Sequence, residues 1–284
     1  MAGRAIALSG ELGSGKSEVS ARLARALGAP RVSTGEAQRA IAHRRGVSTL
    51  ELNRLAESDP TIDDQIDGVF RSLAQTPGPL VVDSRLAWHF LPSSYKVHLV
   101  VDPAEGATRV LGRGGSHAER YESVDQALVA MEQRVESERR RFLDVYDVDI
   151  FRLDNYDLVV DTTQASPSEV ADAVLARYRS APPGPPPALL LAPGRVRGVP
   201  EATPDHGATG DEPLEAEIRV HGAGSIPPVV VAYRRPDFTV VHGRRRLRAA
   251  ARCGAPLVPA VLDDADGAGA GAAADAGGEA ATGR

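Results

Sequence analysis

GELGSGKS, residues 10 to 17, decides how this chain is read. It fits G-x-x-x-x-G-K-[ST], with Gly10, Gly15, Lys16 and Ser17 at the fixed positions. The pattern has a physical basis. Glycines let backbone N–H groups converge on phosphate oxygens where a Cβ would obstruct them. A helix starting here points its positive end at the same anion. Lys16 would then reach the β- and γ-phosphates of ATP and Ser17 would ligate Mg²⁺, with Gly13, Ser14 and Glu18 completing the cradle. The flanks agree. RAIALSG (4–10) is an apolar run ending in Gly, a buried strand by its pattern. Val19, Leu23, Ala26 and Leu27 recur at helical spacing and stop near Gly28 and Pro30.

A flexible Gly-rich turn without a ligand is the competing reading. Lysine usage weighs against it. Of 33 Lys and Arg residues only Lys16 and Lys96 are lysine. Genomic base composition accounts for most of the arginines, yet the motif position keeps Lys.

Working outward, PLVVDSR (79–85), KVHLVVD (96–102) and YDLVVDT (156–162) read as further buried strands. Helical patterns run through 36–45, 49–57, 62–73, 104–113, 124–143 and 167–178, the last with Ser166 as N-cap. Strands alternating with helices predict an α/β fold, a parallel sheet covered on both faces. APPGPPPA (181–188) then reads as a stiff linker. Beyond it, 188–192, 227–233, 238–243 and 257–262 are strand-like, and a helix is expected over about 244–252. The boundaries expected are a domain over 1–180, a linker over 181–187, a second domain over 188–264 and a disordered Ala/Gly tail over 265–284.

Composition narrows the class. A formal charge of −5 gives no general attraction to nucleic acid or acidic membranes. The single cysteine, Cys253, excludes an internal disulfide and a Cys-based zinc cluster. No apolar run approaches the roughly 20 residues of a membrane span, and no secretory signal is evident. A soluble cytoplasmic protein is expected.

Three clusters follow the loop. VSTGEAQR (32–39) sets hydroxyls and Arg39 around a glycine. VVDSR (81–85) ends a strand with Asp83 and Arg85, where open α/β sheets bind ligands; Asp83 either holds Mg²⁺ or its water, or caps the strand. RVLGRGGSHAERYES (109–123) has the make-up of a mobile lid that brings arginine onto phosphates. Together with RVESERRRF (134–142) and YDLVVDT, the series resembles the cytidylate kinase-like branch of the nucleoside monophosphate kinases over residues 4 to about 180. The resemblance implies a P-loop fold that uses ATP and Mg²⁺ to phosphorylate a nucleoside monophosphate, CMP or dCMP foremost. It further implies that Ser33, Thr34, Gly35, Arg39, Asp83 and Arg85 serve the acceptor. Arg109, Arg113, Arg134 and Arg141 would neutralise the transferring phosphoryl group. Arg139 and Arg140 read as a solvated helix face, with Glu136 and Arg140 spaced to pair. Trp88 reads as core or as acceptor pocket. A modified nucleoside or another small metabolite is the alternative acceptor, and a nucleotide-binding regulator the alternative class.

Ile226 to Leu262 resembles the small α+β fold shared by ParB and sulfiredoxin. Paired prolines precede a strand, and a second strand ends in HG before G-x-R-R-x-R-A-A, which includes Gly243, Arg245 and Arg246. The resemblance implies a phosphate site at Gly243, Arg245 and Arg246, with CTP as a candidate ligand. Arg244 stands where the family has Glu, and no cysteine precedes the arginines. No helix-turn-helix follows, which argues against sequence-specific DNA binding.

Overall fold

The computed structural model describes residues 4–56, 59, 61–62, 68, 70, 78–112, 121–180, 187–198 and 211–263. The tail expected over 265–284, the Pro-rich residues 181–186 and Arg113 lie outside the described residues, as does most of the helix expected over 62–73.

Five parallel strands form the first half of a sheet: β1 (Ile6–Gly10), β2 (Arg31–Ser33), β3 (Val81–Asp83), β4 (Tyr95–Val100) and β5 (Leu158–Asp161). They lie in the order β2-β3-β1-β4-β5. Their apolar runs are nearly continuous because both faces are covered. Ile6, Leu8, Val97, Leu99, Leu158 and Val160 pack on one face against Val19 and Leu23 of α1 (Lys16–Leu27) and Val170 and Val174 of a later helix. Ala7, Val82, Val100 and Val159 face the other way. There they meet Ile41 of α2 (Thr34–Arg45), Leu52 of α3 (Thr49–Ala56) and Trp88 of the one-turn α4 (Ala87–Phe90).

Helices α5 (Pro103–Gly112) and α6 (Val124–Tyr146) pack on each other after β4. The later helix is α7 (Pro167–Ser180). It starts as expected at Ser166, whose Oγ accepts the Glu169 N–H at 3.3 Å. In return the Glu169 carboxylate accepts the Ser166 N–H at 2.8 Å, a reciprocal cap.

The C-terminal half comprises β6 (Ala188–Leu191), β7 (Val196–Arg197), α8 (Glu212–His221), β8 (Val229–Arg234), β9 (Asp237–His242), α9 (Arg244–Arg252) and β10 (Val258–Leu262). Strand β6 runs parallel to β5 on one side and antiparallel to β10 on the other. All ten strands therefore form one sheet, ordered β2-β3-β1-β4-β5-β6-β10-β8-β9-β7. The core is equally continuous: Leu189 and Leu191 join Val229, Phe238, Leu247 and Val258 to the cluster that holds Ala7 and Trp88. No helix among the described residues is long and apolar enough to cross a membrane.

Candidate active site

The carboxyl ends of β1, β2 and β3 bring Gly10, Ser33 and Asp83 to one rim of the sheet. The loop from Gly10 turns there. Gly13 has φ +79, and a Cβ on it would lie 2.3–2.6 Å from the Gly106 backbone of α5. Gly15, with φ +76, is the N-cap of α1, and no side chain caps that end. The helix start is thus open to an anion. Ser14 Oγ donates to the Glu11 carbonyl at 2.8 Å, and the Glu11 carboxylate accepts the Val101 N–H at 2.9 Å. These bonds tie the loop to itself and to the end of β4.

Lys16 forms an ion pair with Asp83. Asp83 is wholly buried and stands 3.4 Å from Ser20 Oγ and 3.5 Å from Arg31 Nη2. Burial lowers the pKa of the Lys16 ammonium, and the Asp83 charge opposes that shift.

A cavity of about 310 Å³ opens above the loop, at the small end of the range for ligand pockets. Gly10 to Ser17 form its floor. Thr34, Gly35, Gln38 and Arg39 contribute from α2, and Ser84, Arg85 and Leu86 from the end of β3. Helix α6 adds Arg134, Glu138, Arg141, Phe142 and Tyr146, which recur at helical spacing and share one face.

At this wall two guanidinium groups pair with one carboxylate, and a third lines the same cavity. Glu138 is 5% exposed; it accepts Arg134 Nε at 3.0 Å and pairs with Arg85. Arg141 is buried beside them. Burial pushes the Arg85 pKa down to about 9, with further repulsion from Arg134 and Arg141. It stays cationic at neutral pH. The cluster carries a surplus of positive charge that a multiply charged anion would balance.

The wall's far end is aromatic. Phe70 stacks on Phe90 at 4.6 Å, and the Tyr146 ring stands edge-on to Phe90 at 5.5 Å. In a chain with 4% aromatic residues, these rings gather at one end of the cavity, which Phe70, Phe142 and Tyr146 line.

Residues 5–164 match the model of the cytidylate kinase-like family. The chain belongs to that family. Relatives agree. The cytidylate kinase of Methanothrix thermoacetophila is 37% identical over 175 residues, 62% of this chain and 98% of that protein. That of Thermoplasma volcanium is 35% identical over 61% of this chain and 90% of its own length. An S-adenosylmethionine-dependent nucleotide dehydratase from Lacinutrix mariniflava is 34% identical over 61% of this chain but 36% of its own length. Residues 212–275 match the ParB N-terminal domain. The cytidylate kinase-like protein is an ATP-dependent nucleoside monophosphate kinase.

Within the kinase, the cavity lining includes Gly10, Gly13, Ser14, Gly15, Lys16, Ser17, Thr34, Gly35, Arg39, Arg85, Arg134 and Arg141 of the residues singled out from sequence. Ser33 is instead the N-cap of α2, its Oγ accepting the Glu36 N–H. Asp83 lies behind Lys16. Glu18 turns away and pairs with Arg22 at 2.9 Å. Arg109 is not among the lining residues. It donates to the carbonyls of Thr162 and Thr163 at 2.8 and 3.0 Å and pairs with Glu105, while its neighbour Val110 lines the cavity. Arg139 pairs with Asp149 at 2.7 Å. Trp88 sits in the core, edge-on to Tyr156.

Sequence reasoning gave no role to Glu138, Gln38 or Tyr146. Glu138 was within reach of helical phase, four residues after Arg134, and Tyr146 follows Phe142 at the same spacing.

In the C-terminal half a second depression gathers Pro213, Leu214, Pro227, His242, Gly243 and Arg244 to Arg246. Gly243, with φ +96, caps α9. Arg246 donates to the Pro227 carbonyl at 2.8 Å, and Arg245 to Asp211 at 2.9 Å. The expected phosphate residues are thus together, with Arg245 and Arg246 already engaged.

Proposed function

We propose that the kinase transfers the γ-phosphoryl group of ATP to CMP or dCMP. The observation that carries this reading is the pairing of Arg85 and Arg134 with Glu138, which with Arg141 line one cavity together with the phosphate loop. The choice of a cytidine nucleotide is supported by the cytidylate kinases among the relatives and by the aromatic wall.

The chemistry asks for charge placement. The nucleophile is a phosphate oxygen whose last ionisation lies near pH 6, so it needs no general base at neutral pH. Arg39 and Arg85 hold the acceptor phosphate. The loop N–H groups and Lys16 hold the donor. Arg134 and Arg141 face the oxygens on which charge spreads during transfer. Mg²⁺ bound with the nucleotide would neutralise charge on the β- and γ-oxygens. The hydroxyl of Ser17 and the carboxylate of Asp83 are the oxygen donors suited to it. No group of three or more His, Cys, Asp or Glu residues suited to a metal occurs among the described residues.

ADP release with ATP, Mg²⁺ and each nucleoside monophosphate in turn tests the reading. CMP and dCMP should turn over fastest, and Lys16→Ala should lose on the order of a hundredfold or more. Turnover of another acceptor alone would transfer the assignment to a modified nucleoside or small metabolite. ATP binding without any turnover would favour a regulator.

For the second depression we propose CTP as ligand, bound at the start of α9 by Gly243, Arg245 and Arg246. Its glycine cap, with no side chain bonded to the helix start, is the supporting feature. Calorimetry with CTP on full-length Lys16→Ala, with and without Arg245→Ala, tests it. Equal heats from both proteins would remove the site.

A further inference from the structure

Asp83 stands behind the phosphate loop with its side chain 1% exposed. A carboxylate so buried needs a cation beside it, because removing one member of a buried pair strands the other. Among the described residues its cationic partners are Lys16 and Arg31. Lys16 is also the residue that reaches the donor phosphates when the loop cradles a triphosphate. Its ammonium group must leave Asp83 to do so. Asp83 and ATP therefore compete for one lysine.

Arg31 is placed to stay behind. It lies on β2, where the register sets Arg31 beside Val81 and Ser33 beside Asp83. Strand alternation puts Arg31 and Ser33 on one face, and Val81 of the neighbouring strand packs with Val19 and Leu23 of α1. The Arg31 guanidinium spreads over three elements. Its Nε donates to Ser20 Oγ of α1 at 2.8 Å, and its Nη2 donates to Glu36 of α2 at 2.8 Å. The same Nη2 lies 3.5 Å from Asp83 Oδ2. Ser20 is wholly buried, and its Oγ in turn donates to the Ser17 carbonyl at 2.9 Å. A guanidinium offers its donors in a fixed fork, so it can keep all these partners at once. Arg31 is not among the residues that line the cavity.

We propose that Arg31 is a positioning residue of the donor site: it holds Asp83 when Lys16 turns to the phosphates, and so eases the release of Lys16. The proposal rests on the reading of residues 10–17 as the ATP site. Arg31 acts through Asp83 and Lys16 and touches no nucleotide.

The test measures ATP binding to the full chain by calorimetry, with EDTA present so that no divalent cation enters the balance. In Arg31→Met the Kd should rise about tenfold, because Asp83 then holds Lys16 back. Arg31→Lys keeps the charge and should stay within about threefold of wild type. In Asp83→Asn there is no ion pair to release, so adding Arg31→Met should change Kd by less than about twofold. A residue that only supports the fold, or only attracts the anion, would weaken binding equally in both backgrounds. Far-UV dichroism checks that each variant is folded. An unchanged Kd in Arg31→Met overturns the proposal, and so does an equal loss in the Asp83→Asn background. The expected pattern of affinities in a protein that turns over no monophosphate overturns the kinase reading and leaves the role of Arg31 standing. A wild-type chain that binds no ATP overturns both.

Discussion

At the scale of single residues, the site is organised by a buried carboxylate, Glu138, paired with Arg85 and Arg134. Glu138→Gln removes the carboxylate that pairs with Arg85 and Arg134. Breaking a buried pair this way costs about 3–5 kcal/mol. A thermal melt should therefore show a lower midpoint, and inorganic phosphate should recover more of it in the variant than in wild type, because the anion binds only the folded cluster. His98 gives a second test. It is buried and stacked on Tyr156 at 4.5 Å. Burial, then the charges of Arg85, Lys16 and Arg235, lower its pKa from 6.5 to about 3. The folded protein keeps the ring neutral where the unfolded chain takes a proton. Stability is then fully present above about pH 6.5 and falls as pH drops toward 3, by roughly 1 kcal/mol per unit. In His98→Phe that part of the slope should vanish from melts recorded across this range. The arginines were legible as residues that chemistry requires. Their counter-ion needed one step more: counted from Arg134, helical phase sets Glu138 on the same face and Glu136 on the opposite one.

At the scale of elements, the phosphate loop works because two backbones touch. Gly13→Ala would force a Cβ into the Gly106 backbone and strain φ +79. Loop and α5 must then separate. ATP affinity measured by calorimetry should fall by about two orders of magnitude, with far-UV dichroism unchanged. The longer strands and α1 could be read directly, since strands buried on both faces are apolar throughout and α1 repeats its apolar residues. Strands β2 and β7, of three and two residues, carry no period at all. Helix α8 buries little beyond Ile218, so its pattern is faint. Arg109 shows a finer limit: a one-residue rotation on α5 exchanges it for Val110 at the cavity.

At the scale of the molecule, the ten-stranded sheet predicts one unfolding transition. The chain offers one reporter in each half, its single tryptophan, Trp88, and its single cysteine, Cys253. Trp88 fluorescence and Cys253 thiol reactivity should give the same urea midpoint, as a single cooperative unit requires; midpoints more than about 0.5 M apart would mean separate units. A chain ending at residue 180 would leave the inner edge of β5 unpaired, an invitation to edge-to-edge association. It should elute as aggregate in size-exclusion chromatography where the full chain does not. Nothing in 181–188 announces this, because a Pro-rich run looks the same whether it separates two bodies or leads into a shared strand.

Strand β6 is hydrogen-bonded on both its edges, to β5 of one half and β10 of the other. Its consequence is hereditary as much as mechanical. A recombination event that breaks the gene between codons 180 and 188 leaves each product with a raw sheet edge. The kinase and its ParB-like companion, two families by sequence, would then be inherited together or lost together.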